Sequence, residues 1–360
     1  IKLNFDLTDE QRMLQETVAQ YVENECPMAR LREIFDGDEG HDPVLWKGLV
    51  ELGVAGLAIG DQYGGAGLEM LDLAVVAEKL GHAAFPGPFF NHALGALAIE
   101  LAGSDEQKEA WLPKLAAGDA VASIAFSDPS GGWQPGDWSL EAGDTLTGTK
   151  TMVPFASEAD VIVVGVAGGG MVLVAKGAAG LRCERLDGAD RSRRIDDVTF
   201  ENTPCESLAG GVEAAPKVRD VGLVLLAADA IGGAERCMEM SVEYAKTRQQ
   251  FGVVIGQFQA LKHQLADMAL AVEPSRGLYW YAAHALDHVE EDAERTAAIA
   301  KAHITDAFMQ VARDATEAHG GIGFTWEGDT QMWFKRAMFD RAFLGSPSTH
   351  RARAAELGDW

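Results

Sequence analysis

The first third of the chain has the spacing of apolar positions that is typical of amphipathic helices. Thr8 with Gln11 forms a capping-box pattern at the start of the first predicted helix. One face of that helix carries apolar residues at i, i+4, i+7 and i+8: Leu14, Val18, Tyr21 and Val22. Similar signals predict four more helices: 43–53, 68–80, 90–102 and 104–116. The pattern predicts a helical N-terminal domain over residues 1–118.

The pattern changes from about Val121 onward to short β-rich runs separated by Gly, Asp and Pro. Two of these runs read V-A-S-I-A-F-S and D-V-I-V-V-G-V-A. The run Gly168-Gly169-Gly170 lies between two such segments and is interpreted as a hairpin turn, not as a phosphate-binding loop. We therefore expect a central β-barrel or β-sandwich domain over residues 119–212.

The last part of the chain returns to helical periodicity in long segments. They are predicted at 217–247, 256–286, 289–319 and 328–341. Four long helices in succession favour an antiparallel four-helix bundle, over residues 213–360. The predicted fold is thus α+β and multidomain, in the order helical domain, β domain, helical bundle.

Composition excludes several functional classes. The 360 residues include 55 acidic and 30 basic residues, a net charge of −25 at pH 7, which argues against a nucleic-acid or anionic-membrane surface. No run of apolar residues is long enough for a membrane span, and the first residues have no signal-peptide pattern, so we expect a cytoplasmic protein. The four cysteines form no C-x-x-C pair, and no metal site is predicted.

Two segments of the last third carry a recognisable pattern. They are R-Q-Q-F-G-V-V-I-G-Q-F-Q-A-L-K-H-Q-L-A-D-M, starting at Arg248, and E-A-H-G-G-I-G-F-T, starting at Glu317. Both resemble the acyl-CoA dehydrogenase family. Earlier segments are similar to further motifs of that family: D-Q-Y-G-G-A-G-L, A-F-S-D-P and L-T-G-T-K. The resemblance covers nearly the whole chain, and the predicted order of domains agrees with it.

The resemblance implies a reaction. Members of the family bind FAD and oxidise an acyl-CoA thioester to the 2-enoyl-CoA, in fatty acid or steroid side-chain β-oxidation. A carboxylate removes the α proton, and donors must stabilise the enolate-like thioester oxygen. The cofactor accepts the hydride while the protein positions it. An FAD-dependent oxidoreductase acting on an acyl-CoA is therefore expected.

In the family, the C-terminal bundle of one subunit holds the ADP part of an FAD whose flavin ring lies on the other subunit. The resemblance assigns these cofactor contacts to seven residues: Arg248, Phe251, Gln259, Glu317, Gly320, Gly321 and Gly323. The planar fork of Arg248 suits a pyrophosphate. Glu317 stands where glutamine is common, and its charge would repel a phosphate.

The positions that face the flavin depart from the family pattern. The segment after Ser127-Asp128-Pro129 no longer resembles T-E-P-G-A-G-S-D. Met152 stands where an aromatic residue is usual, and Pro154 stands where a threonine hydroxyl contacts the ring. Because proline has neither a hydroxyl nor an N–H, the chain is expected to hold a flavin ring poorly on its own.

The catalytic base is missing from both positions that the family uses. Leu344 precedes Gly345 where a glutamate is usual, and Gly222 occupies the alternative position on the preceding helix. The nearest acids are Asp220 and Asp340, which remain fallback candidates for a relocated base.

Three interpretations follow. The first is a subunit without its own base, which shares FAD with a homologous, base-carrying acyl-CoA dehydrogenase partner; it resembles heteromeric actinobacterial enzymes that act on the side chains of steroid CoA thioesters. The second is a self-sufficient homomeric enzyme with a relocated base. The third is a non-enzymatic CoA-binding or scaffold protein on the same fold.

Overall fold

The computed structural model describes residues 6–37 and 40–358. The predicted N-terminal helices are confirmed: α1 (Asp9–Glu25), α3 (Pro43–Glu51), α4 (Met70–His82), α5 (Phe89–Ala102) and α6 (Asp105–Ala116). A further short helix, α2 (Met28–Asp36), follows α1 and was not predicted. The Thr8 side chain accepts from the Gln11 backbone N–H and the Gln11 side chain accepts from the Thr8 N–H, so α1 begins with a capping box.

The middle domain consists of two open sheets. Its strands are β1 (Ala122–Ala125), β2 (Thr145–Pro154), β3 (Val161–Gly165), β4 (Met171–Ala175), β5 (Leu181–Arg185), β6 (Ile195–Pro204) and β7 (Glu206–Leu208). One sheet has the order β1-β3-β4-β7 and the other β2-β6-β5. Apolar residues of both sheets share one core. Because neither sheet closes on itself within the described ranges, the domain is a sandwich rather than a barrel.

The glycine run between β3 and β4 forms the predicted hairpin turn. The two strands pair antiparallel, with Gly165 opposite Met171 at the turn end. Gly168 and Gly169 both have φ of 79°, a conformation that side chains with a Cβ rarely adopt.

The C-terminal domain contains six helices among the described residues, not four. They are α7 (Gly211–Thr247), α8 (Gln259–Val272), α9 (Ser275–His288), α10 (Glu290–Ala318), α11 (Thr330–Ala342) and α12 (Pro347–Glu356). Two short strands, β8 (Gln249–Gln250) and β9 (Val253–Val254), follow α7. The single helix predicted over 256–286 was wrong: it breaks at Glu273-Pro274, because proline lacks the N–H that a continuous helix needs.

The long helix α7 runs through the centre of the molecule and packs closely against α4. A Cβ atom on Gly81 would lie 2.0 Å from the Asp229 carbonyl oxygen. Reciprocally, a Cβ on Gly232 would lie 1.9 Å from the Glu78 carbonyl oxygen. The two helices therefore cross at a distance that only glycine permits at these points.

A buried ionic cluster joins the three domains. Arg193, from the loop between β5 and β6, lies 2.7 Å through Nη2 from Asp229 Oδ1 on α7. Arg336 on α11 contacts the same carboxylate at 2.6 Å. The Arg193 guanidinium also lies over the rings of Phe90 and Phe339, at 5.4 and 5.2 Å from their centroids. One side chain of the β domain thus contacts both helical domains.

Within residues 6–37 and 40–358, no helix has the length and apolar content needed to cross a membrane. The same ranges contain no group of three His, Cys, Asp or Glu side chains arranged to hold a metal ion.

Candidate active site and cofactor surface

The loop between α11 and α12 holds Leu344, where the family resemblance leads us to expect a base. Leu344 has φ of 57° and Gly345 has φ of 107°. Positive φ is uncommon for a bulky side chain and persists only where the surroundings enforce it. The Ser346 hydroxyl then caps α12 by accepting from the Thr349 N–H at 3.3 Å. The chain therefore makes a tight, strained turn at Leu344.

The two positions at which the family resemblance leads us to expect a base, 344 and 222, lie side by side among leucine side chains. Leu344 is 0% exposed. A Cβ atom on Gly222 would lie 2.6 Å from Leu344 Cδ1 and 3.1 Å from Leu94 Cδ1. A side chain at position 222 would therefore require Leu344 to move, and neither leucine nor glycine offers a proton acceptor.

Two buried basic side chains support this loop from behind. Lys301 Nζ donates to the carbonyl oxygens of Asp340 and Arg341 at the end of α11. His350 Nε2 lies 2.9 Å from the Leu344 carbonyl oxygen. Burial lowers the pKa of Lys301 to about 7 and the pKa of His350 to about 4. Both therefore act as donors that fix the backbone around Leu344.

The fallback candidate Asp220 is held by two arginines. Arg219 Nε donates to Asp220 Oδ1 and Arg219 Nη2 to Asp220 Oδ2, each at 3.0 Å. Arg353 Nη2 donates to Asp220 Oδ1 at 3.0 Å. Burial raises the pKa of Asp220, although Arg219 and Arg353 oppose that change. Its carboxylate serves a buried ion-pair network.

The second fallback candidate, Asp340, belongs to the cluster that joins the domains. It is fully buried, and its Oδ1 lies 3.8 Å from Arg193 Nη2. Burial and the neighbouring Asp229 raise its pKa well above the usual range. Burial alone would also raise the pKa of Asp229, but Arg193 and Arg336 hold that pKa below its ordinary value. The surroundings of Asp340 therefore favour its protonated form more than those of an ordinary carboxyl group do.

Aromatic rings line the region next to Leu344. The Trp133 ring lies 4.7 Å from that of Phe343, tilted by 58°. Phe343 also stacks on Phe339 at 4.9 Å and meets the edge of Phe90 at 5.8 Å. Sequence reasoning missed Trp133, because a single tryptophan in a Gly-rich loop gives no signal of where its ring lies.

The β-domain positions offer few donors to a flavin. The Ser127 hydroxyl is buried and donates to the Asp128 carbonyl oxygen at 3.4 Å. Met152 is half-buried with φ of 55°, and Pro154 is buried. Beneath them the fully buried Lys150 forms an ion pair with Asp128. The polar groups here are used within the domain itself.

The first motif of the last third presents its side chains to solvent. The Arg248 N–H closes α7 by donating to the Tyr244 carbonyl at 2.8 Å, while its side chain is exposed and has no carboxylate among the described residues within ion-pair distance. Phe251, in the turn between β8 and β9, is 92% exposed and has φ of 54°. Gln259 begins α8 and is also exposed.

The glycine-rich motif lies at the end of α10. A Cβ atom on Gly320 or Gly321 would meet no other atom within 4 Å, so these two residues face open space. Gly323 has a different role, because its Cβ would lie 2.2 Å from the Thr316 carbonyl oxygen. Gly320 and Gly321 thus leave backbone accessible, and Gly323 permits close packing.

Two contacts bring the motifs together. Tyr244, one turn before Arg248, stacks on His319 with ring centroids 4.5 Å apart. Gln264 on α8 donates to the exposed Glu317 at 3.5 Å. A cavity of about 370 Å³ lies beside the glycine turn, with Tyr244, His319 and Ile322 in its wall. The structure therefore forms one continuous surface from two segments about 60 residues apart in sequence.

Known protein families match both helical parts of the chain. The model for the acyl-CoA dehydrogenase N-terminal domain matches residues 8–119, and the model for the C-terminal domain matches residues 210–357. The chain belongs to the acyl-CoA dehydrogenase family. The family resemblance inferred from the motifs is confirmed, and with it the predicted fold; acyl-CoA dehydrogenases are FAD-dependent oxidoreductases.

Several acyl-CoA dehydrogenases are similar to this chain over nearly its whole length. Acyl-CoA dehydrogenase IpdE2 of Mycobacterium tuberculosis is 35% identical over 94% of both chains. IpdE2 of Mycolicibacterium smegmatis is 31% identical over 95% of this chain and 96% of its own. Short-chain specific acyl-CoA dehydrogenase of Homo sapiens is 28% identical over 96% of this chain and 89% of its own.

Solved structures give the same result. A variant of the Tcur3481-Tcur3483 steroid ACAD is 30% identical, with a TM-score of 0.90 over 98% of both chains. The ChsE4-ChsE5 complex from Mycobacterium tuberculosis is 26% identical, also with a TM-score of 0.90 over 98% of both chains. The predicted likeness to steroid-type acyl-CoA dehydrogenases is thereby confirmed.

The FAD that the family implies fits one part of this chain better than the other. The exposed Arg248 guanidinium and the open backbone at Gly320 and Gly321 suit an anionic, extended group. At the β domain, Pro154 has no donor and the Ser127 hydroxyl is already used. The residues present therefore suit the ADP part of the cofactor and not its flavin ring.

Proposed function

We propose that this chain is the base-lacking subunit of a heteromeric FAD-dependent acyl-CoA dehydrogenase. In that enzyme it completes the FAD site of a homologous partner that carries the base. The observation that supports this most strongly is a contrast. Leu344 is buried against Gly222 and Leu94 at the base position, whereas the side chains of Arg248 and Phe251 are exposed. A chain that served only its own site would have no use for exposed cofactor-binding side chains if it had no base.

The chain contributes binding to the partner's cofactor. When bound, FAD accepts the β hydrogen of the acyl group as hydride. Arg248 would donate to its pyrophosphate, and the backbone at Gly320 and Gly321 would approach the same group closely. Phe251 would cover the ADP part with its ring. Removal of the α proton would belong to the partner's carboxylate.

The names of similar structures support a substrate class and a kind of partner. Two of the similar structures have names that join two different polypeptides, and one of them is named a steroid ACAD. We infer for this chain a homologous partner subunit and an acyl-CoA substrate of the steroid side-chain type.

The homomeric alternative has little support from the neighbourhood of its candidate bases. Asp220 contacts Arg219 and Arg353, and Asp340 is buried beside Arg193. A general base needs hydrogen-bond reach to the substrate proton, whereas Asp220 is held by two arginines and Asp340 is fully buried. No observation favours a non-enzymatic scaffold over the proposed role.

Expression with and without a partner tests the proposal. Purified alone, the chain is expected to carry little FAD and to show no dehydrogenase activity. Co-expressed with a base-carrying homologue, the complex is expected to bind one FAD per pair of unlike chains, with flavin absorbance that acyl-CoA bleaches. Stoichiometric FAD and activity on the isolated chain would contradict it.

A variant of this chain sharpens the test. Arg248→Ala in this chain is expected to lower the FAD content and the flavin affinity of the complex at least tenfold, because a charge-assisted bidentate contact is lost. Arg182→Ala is the matched control, since Arg182 is also exposed but lies on β5 and pairs with Glu201. Equal FAD content in both variants would sink the proposed role of Arg248.

A further inference from the structure

One loop of the β domain enters the region of the missing base. It connects β1 to β2, and its tip at Ser130 and Gly131 is exposed. Trp133 turns inward from this loop and is half-buried, with its ring 4.7 Å from that of Phe343. Phe343 is fixed in turn by its stacking on Phe339. The Trp133 side chain is therefore part of the packed interior, although its loop lies at the surface.

The Trp133 ring lies close to residue 344, where the reaction would require a base. A base must lie within hydrogen-bond reach of the α carbon, so an acyl group bound by a chain of this fold would extend past residue 344. In this chain Leu344 and Leu94 fill the volume at that residue. Trp133 covers Phe343, the residue next to it. The Trp133 ring thus lies beside the loop along which an acyl group would pass.

The loop is held in place by ionic contacts. Gln134 Oε1, next to Trp133, accepts from Arg219 Nη1 at 2.8 Å. Arg219 is itself fixed by two contacts of 3.0 Å to Asp220. Arg353 on α12 binds the same carboxylate at 3.0 Å. We call Gln134, Arg219, Asp220 and Arg353 the latch: it ties the Trp133 loop to α7 and α12.

We propose that Trp133 is a plug, held by the latch, that excludes acyl-CoA from this chain's own chamber. This inference rests on the proposed function and adds to it the residue that makes the two chambers of the heteromer unequal. The loss of the base removes the chemistry, whereas the plug removes binding. Without the plug, some acyl-CoA would bind in a chamber where it cannot react.

The plug predicts a change in binding stoichiometry. The probe is trans-2-octenoyl-CoA, a 2-enoyl thioester that cannot reduce FAD, titrated into the FAD-loaded complex by calorimetry. The wild-type complex is expected to bind one equivalent per pair of unlike chains. The complex with Trp133→Ala in this chain is expected to bind two, because the substitution removes the ring beside Phe343.

Three further variants make the result decisive. Trp111→Ala, a half-buried tryptophan on α6, is the control for loss of an indole and is expected to bind one equivalent. Gln134→Ala releases the loop from Arg219 and keeps the apolar packing, so it is expected to add a second, weaker site. Trp133→Leu replaces Trp133→Ala if the latter lowers the thermal midpoint so far that the complex does not assemble.

The outcomes separate the two proposals. Two equivalents on the wild-type complex, or one equivalent on the folded Trp133→Ala and Trp133→Leu complexes, would overturn the plug. The FAD content of the wild-type complex tests the proposed function independently, because Trp133 lies in the β-domain loop and Arg248 lies at the end of α7.

Discussion

At the scale of the residue, Leu344 belongs to the hydrophobic core. Leu344→Glu would place a carboxylate in a fully buried site beside Gly222 and the side chain of Leu94. An uncompensated buried charge costs roughly 3–5 kcal/mol, so the free energy of unfolding at pH 7 should fall by about that amount. Urea denaturation measures it, with Leu344→Met, expected to cost under about 1.5 kcal/mol, as the control.

The pH dependence of the same variant has a fixed sign. Burial raises the pKa of a carboxyl group in the folded state, so the folded state binds the proton more tightly than the unfolded chain. The stability of Leu344→Glu relative to wild type should therefore be greatest at acid pH and fall as the pH rises above the ordinary carboxyl pKa. A loss of stability that is the same at every pH would contradict the assigned environment.

The two buried aspartates should respond differently to removal of their charge. Asp229 is the counter-ion of Arg193 and Arg336, so Asp229→Asn leaves two buried cations without it and should cost roughly 3–5 kcal/mol. Asp340 has a raised pKa caused by burial and by Asp229, so its protonated form resembles an amide. Asp340→Asn should cost under about 1 kcal/mol. Urea denaturation of both variants at pH 7 gives the comparison.

Proton linkage offers a second measurement on Asp340. Its folded-state pKa lies above the unfolded value, so its contribution is full at acid pH and is lost as the pH rises toward the folded pKa. Asp340→Asn removes this dependence, and the difference in stability between variant and wild type should shift in favour of the variant as the pH rises. The opposite slope would show that Asp340 is ionised.

At the scale of the element, the contact between α4 and α7 should be the least tolerant of added volume. Gly232→Ala would bring a methyl group within 1.9 Å of the Glu78 carbonyl oxygen, and backbone has little freedom to yield. Overpacking of this kind costs roughly 1–3 kcal/mol or more. Thermal unfolding measures it against Gly143→Ala, where the added Cβ would meet no atom within 4 Å. Equal midpoints for the two variants would refute the close crossing.

Local signals in the sequence account for much of the element pattern. The predicted capping box at Thr8 forms, and a second one forms at Ser104, because in each the two partners are only three residues apart. The break before Pro274 was missed because apolar periodicity continues on both sides of it. The short helix α2 was also missed, because Pro27 at its start provides no side-chain cap, whereas the equally short α3 begins with Asp42 and Pro43.

In the candidate site, too, some features could be predicted from the sequence and others could not. The motif residues Arg248 and Gly320 could be identified because their spacing is local. The proximity of Gly222, Leu94 and Leu344 could not, since it depends on three segments that meet only through the packing of α5 and α7 and the loop after α11. Side-chain contacts between distant segments need the coordinates.

At the scale of the whole molecule, the net charge of −25 should destabilise the folded chain through self-repulsion. Screening by salt shortens the range of this repulsion to about 8 Å at physiological ionic strength. The thermal midpoint of the isolated chain should therefore rise by a few degrees, roughly 2–5 °C, between 20 and 300 mM KCl. Scanning calorimetry over that range checks it, and a falling midpoint would mean that surface ion pairs outweigh the repulsion.

Arg193 limits how this protein can be recombined with its relatives. It is encoded with the β domain, but its counter-ion Asp229 lies on α7 and one of its ring contacts, Phe90, lies on α5. A chimaera that exchanged only the middle domain would have to bring an arginine to the same place or leave a buried aspartate with one cation fewer. The three domains therefore depend on one another for stability, and chimaeras of homologues should fold only where that arginine is kept.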